Sequence, residues 1–133
     1  MADKKELGQE ILRGNKRTVT KEIDLTNIDK RYIGDFTFQT VSLMDKMQVG
    51  IIKSTMLKGI PAHQLDATTQ NIAHMSATLT KACTDYPKWF DLDNISEYIV
   101  LETIYDAYVE WENSFRTGNS GNDDAGDSEG TGE

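Results

Sequence analysis

Between Thr18 and Leu25 apolar and polar positions alternate. Val19, Lys21, Ile23 and Leu25 fall on one face, and Thr20, Glu22 and Asp24 on the other. A period of two predicts a half-buried strand, with Lys21 its imperfect member. Ile33 to Val41 predicts a second strand that sets Phe36 and Phe38 against Thr37 and Gln39. The short polar link between them favours an antiparallel hairpin. A hairpin alone is marginal in water, so helices must cover its apolar face.

From Ser42 the period changes. Ser42 can cap a helix with Asp45 three residues on, and Met44, Met47, Ile51, Ile52 and Met56 recur at helical spacing. Gly59 stands where a C-terminal cap belongs, and Pro61 stops continuation. Asp66 can cap a second helix, with Ile72, Met75, Leu79 and Ala82 or Cys83 as its stripe, ending near Thr84 and Asp85 ahead of Pro87. A third starts at Asp93 or Asn94, with Glu97 in its first turn. Tyr98, Leu101, Tyr105 and Tyr108 form its ridge, Trp111 and Phe115 lie near its end, and Gly118 is a natural stop. Before all of these, Leu7, Ile11 and Leu12 share one side of a short helix weakened by Gly8 and Gly14.

The expected fold is therefore α+β: one domain over residues 18–117, an N-terminal β-hairpin packed on three helices. Residues 1–17 are expected to be a flexible arm or short helix. Residues 118–133 lack large apolar side chains and are expected to be a disordered acidic tail.

Charge refines this picture. The chain carries −8, and the tail, with Asp123, Asp124, Asp127, Glu129 and Glu133, supplies −5 of it, leaving −3 for the rest. The one basic concentration, Lys4, Lys5, Arg13, Lys16 and Arg17, is diluted by Asp3, Glu6 and Glu10, which argues against nucleic acid as a partner. No apolar run is long enough to cross a membrane, and the N-terminus lacks the apolar segment of a secretion signal. These features predict a cytosolic protein.

Signals for chemistry are weak. His63 and His74 fall on different elements, with no Cys at metal-ligand spacing. The lone Cys83 ends an apolar stripe and reads as a buried small hydrophobe. The tail fails the EF-hand spacing at Ala125, and its glycines follow no strand. Asp91, Asp93 and Glu97 read as helix-start residues before an acid–base pair. No enzyme, metal or cofactor is expected.

Contact residues are better represented. Eight of the eleven aromatics lie between Tyr86 and Arg116. Trp89 and Phe90, just after Pro87, either staple a connection to the core or present a contact patch. Tyr98, Tyr105, Tyr108, Trp111 and Phe115 are further candidate partner contacts. Met44, Met47 and Met56 could form an adaptable groove, although core packing is the favoured reading.

Three segments carry a family resemblance: GDFTFQTVSLMDKMQVGI, LDATTQNIAHMSATLTKACTDYPKWFD and VEWENSFR. Their order resembles the small tail assembly chaperones of long-tailed, siphovirus-like bacteriophages over roughly residues 18–117. The shared pattern is a G-x-F-T-F-type strand entering a helix, a D-Y-P-x-W turn, and a last helix closing in Glu112, Asn113, Ser114 and Phe115. The resemblance implies a non-enzymatic protein of the host cytoplasm that binds and solubilises the tape measure protein and helps recruit tail tube subunits. It also implies absence from the finished virion. Self-association is a further partner option. The rival readings are a structural tail-completion or head–tail connector protein, and a small phage-encoded regulatory adaptor.

Overall fold

The structure, a computed structural model, describes the backbone of residues 11–13 and 16–120 and the side chains of residues 16–115. In chain order the elements are β1 (Ile11–Arg13), β2 (Lys16–Asp24), β3 (Ile33–Gln39), α1 (Leu43–Met56), α2 (Ala67–Ala82), β4 (Cys83–Asp85) and α3 (Tyr98–Ser120). A single 3-10 turn at Ala62–Gln64 precedes α2. The fold is α+β, with an antiparallel sheet in the order β1-β2-β3-β4 and helices over one face.

The β2–β3 hairpin follows from its alternation. Val19 stands opposite Phe38, and their side chains enter the core together, as does that of Ile23 opposite Gly34. Thr20 and Thr37 pair on the outer face, their hydroxyls 2.8 Å apart. The turn between the strands is held by Leu25 N–H donating to the Tyr32 carbonyl at 2.7 Å. Against the inner face lie Met75, Leu79 and Ala82 of α2 and Val100, Leu101, Ile104, Tyr108 and Trp111 of α3. Phe36, Phe38, Val100 and Ile104 lose essentially all contact with water.

Four expectations need correction. Ile11–Arg13 is not helical: it forms β1, paired with β2 from Ile11↔Thr18 to Arg13↔Lys16. The second helix ends at Ala82, and Cys83–Asp85 turns extended to pair with β3, which otherwise has an open edge. α3 starts at Tyr98, not at Asp93 or Asn94, because Asp91 collects the local donors. Its side chain accepts from Asp93 N–H at 3.1 Å, and its carbonyl accepts from Asn94 and Ile95. The backbone turns through Asn94 and then runs without regular structure to Glu97. Finally, Gly118 does not end α3, which runs to Ser120. The rest of the expected acidic tail, and the N-terminal arm before Ile11, lie outside the described residues.

Candidate functional site

α1 begins where expected. The Ser42 hydroxyl accepts from Asp45 N–H at 3.1 Å, and the Asp45 carboxylate accepts from Ser42 N–H at 3.1 Å. That carboxylate also binds Lys16 Nζ of β2 at 2.6 Å. The Lys16 ammonium, then the Ser42 amide, hold the Asp45 carboxyl at about 2, well below the usual carboxylate range. At the other end Gly59 takes φ +74° and donates its N–H to the Ser54 carbonyl at 2.9 Å. The helix is thus held at both ends and tied to the sheet.

Its sides are the finding. α1 packs on α2, and Val49, Ala73 and Ala77 are buried at that contact, outside the main core. Ala73 and Ala77, one turn apart, let the helices approach closely. On the opposite side Leu43 is 80% exposed, Met44 60%, Met47 63% and Ile51 63%. Met47 follows Leu43 by four residues and Met44 by three, and Ile51 follows Met47 by four, so these side chains make one broad row down the helix. Scattered apolar residues on a surface need no explanation, but a contiguous row does.

Core packing of Met44, Met47 and Met56, the favoured reading of the methionines, is therefore corrected: Met44 and Met47 stand on the outer row, and Met56 is also exposed, at 37%. α1 is apolar on two sides, and the sheet is already covered by α2 and α3. Among the described residues, only the side bearing Val49 has a neighbour to pack against. Leu43 escaped the sequence reading altogether. Its signal was an apolar count around α1 larger than one packing face needs.

The seven aromatic candidates divide among several environments. Tyr108 and Trp111 are 4% and 5% exposed and belong to the core. Trp89 is half-buried between Tyr32 and Phe36, with ring centroids 5.0 and 5.8 Å away, and its Nε1–H donates to the Ile33 carbonyl at 3.1 Å. Phe90 packs edge-on to Phe36 and Tyr86, at 5.3 and 5.6 Å. The pair staples the connection between β4 and α3. Phe115 lies half-buried against Trp111, with the Arg17 guanidinium 4.4 Å above its ring. Tyr105 is half-buried beside His74, at 6.0 Å. Tyr98 remains exposed and helps line a shallow cavity of about 230 Å³ with Ile72, Leu92, Ile95 and Leu101. A neighbouring groove of about 250 Å³ shares Leu92 and Leu101 and is completed by Met56, Leu79, Tyr86 and Phe90.

The reactive side chains among the described residues lie apart from one another. Burial pushes the Cys83 thiol up to about 12, so it is a weak nucleophile. His63 and His74 sit apart, one in the 3-10 turn and one on α2. Among the described residues no three His, Cys, Asp or Glu side chains gather as metal ligands, and no helix is long and apolar enough to cross a membrane. What this arrangement can do is adhere: a rigid helix offers a row of flexible thioether and branched side chains to another apolar surface. No known protein family, curated protein or solved structure matches the chain.

Proposed function

We propose that this protein is a phage tail assembly chaperone that holds apolar helices of the tape measure protein through the outer face of α1. The observation that carries the proposal is the row Leu43, Met44, Met47 and Ile51, 60–80% exposed on a helix anchored by its other side. Methionine suits such a role, because its unbranched chain repacks against clients of varied shape. The net charge of −8 keeps a chaperone–client complex apart from other complexes. The resemblance over residues 18–117 supplies the client's identity, the recruitment of tail tube subunits and the host cytoplasm as the place of action. In this reading the aromatics of α3 chiefly hold the scaffold, and Tyr98 with its cavity offers a secondary contact.

Co-expression tests the proposal. The tape measure protein stays soluble with the wild-type chain and precipitates with a variant carrying Met44→Ser, Met47→Ser and Ile51→Ser. Purified virions lack the chain. Unchanged solubility of the tape measure protein with and without the wild-type chain defeats the proposal, and recovery of the chain in purified virions favours a structural tail protein.

A further inference from the structure

The apolar row has a charged border. Lys46 and Lys53 are seven residues apart, two helical turns, and so share one flank of α1. Lys58 follows just past the helix end, and the opposite flank, with Gln48 and Thr55, is uncharged. The only acid of α1, Asp45, is engaged by Lys16 at 2.6 Å. None of the ion pairs among the described residues involves Lys46, Lys53 or Lys58. Residues 43–58 therefore carry +2 within a chain of −8.

Gly50 adds an independent observation. An interior glycine weakens a helix, yet nothing inside the protein requires this one. It is exposed, its φ is not positive, and a Cβ built on it meets nothing within 4 Å. Three residues after Met47, it leaves a notch where another backbone can come close.

We propose that the occupant of this face is an amphipathic helix whose apolar stripe is bordered on one side by carboxylates about two turns apart. The proposal rests on the reading that the face takes apolar client helices, and it adds the client's charge and orientation. A second copy of this chain fits poorly. Packed antiparallel it sets lysines against lysines, and packed parallel it sets them against the uncharged flank, so neither arrangement supplies a carboxylate.

Two synthetic peptides of about 20 residues, long enough to hold a helix, test this. Both carry the same leucine stripe; one has Glu and the other Lys along its flank. Titrated against the full chain at low salt, the Glu peptide binds about three- to tenfold more tightly, as two exposed ion pairs allow. Added salt narrows the gap. Combining Lys46→Glu with Lys53→Glu reverses the preference, while Lys30→Glu, away from α1, leaves it unchanged. Circular dichroism checks that each variant is folded. Equal affinity for the two peptides, or a preference that survives the double reversal, overturns the charge proposal but leaves the apolar reading standing. Binding of neither peptide overturns both. A dimer in sedimentation that Met47→Ser dissolves assigns the face to a second copy and also overturns the proposal.

Discussion

Replacing Met47 with alanine removes most of a large apolar side chain from the middle of α1, and the structure sets the cost. Fully burying a side chain of this size stabilises by about 1.5–3 kcal/mol. Met47 is 63% exposed, so only about a third of that stabilisation is at stake. The loss is then about 0.5–1 kcal/mol, reduced further because alanine favours the helix. Ile104, fully buried under the sheet, provides the contrast: Ile104→Ala removes packed volume and costs about 2–5 kcal/mol. Urea unfolding followed by the fluorescence of Trp89 and Trp111 measures both. At a slope of about 1–3 kcal/mol per molar, Met47→Ala moves the midpoint by well under about 1 M. Ile104→Ala moves it severalfold further. A loss above about 2 kcal/mol for Met47→Ala would place that side chain in a packed interior and refute the exposed row.

Three further outcomes follow from the scaffold. Gly34→Ala builds a Cβ 2.6 Å from Cγ of Pro87, whose turn is fixed by Trp89 bonding to Ile33. It lowers stability by about 1–3 kcal/mol in thermal melts; an unchanged melting temperature would show that the turn yields freely. Cys83, 5% exposed with its thiol pushed up to about 12, stays silent to a thiol reagent in the native protein and reacts once urea unfolds the chain. Fast native reaction contradicts its burial. Asp45 titrates at about 2 in the folded state against an ordinary 3.8, so its stabilisation is present above about pH 4 and is lost as pH falls through about 2. The stability gap between wild type and Asp45→Asn therefore closes across that window, and a gap independent of pH contradicts the Lys16–Asp45 pairing.

How much of this was legible depended on how local each signal is. The β2–β3 hairpin was readable because one face is buried, which enforces alternation from Val19 to Ile23 and from Phe36 to Phe38. The caps at Ser42, Asp66 and Gly59 were readable because each is a contact within a few residues. β1 and β4 are three residues each and exist through pairing with β2 and β3, so neither carries a period of its own. The start of α3 misled because Asp91, Asp93 and Asn94 all suit a cap, and only the turn geometry shows that Asp91 takes the donors. The candidate site was the least legible part. Helical spacing of Met44, Met47 and Ile51 looks the same whether or not another element lies over them. Exposure is decided by α2 and α3 filling the sheet first.

A client bound on the outer face of α1 is detected directly by methyl NMR of the chain labelled at its methionines. Met44 and Met47 lie on that face, while Met75 is 5% exposed in the core and serves as an internal control. On titration with a soluble helical fragment of the tape measure protein, the Met44 and Met47 methyl signals shift and saturate together, and the Met75 signal stays in place. Saturable binding that leaves the Met44 and Met47 methyls unmoved would contradict the account and put the client elsewhere on the protein.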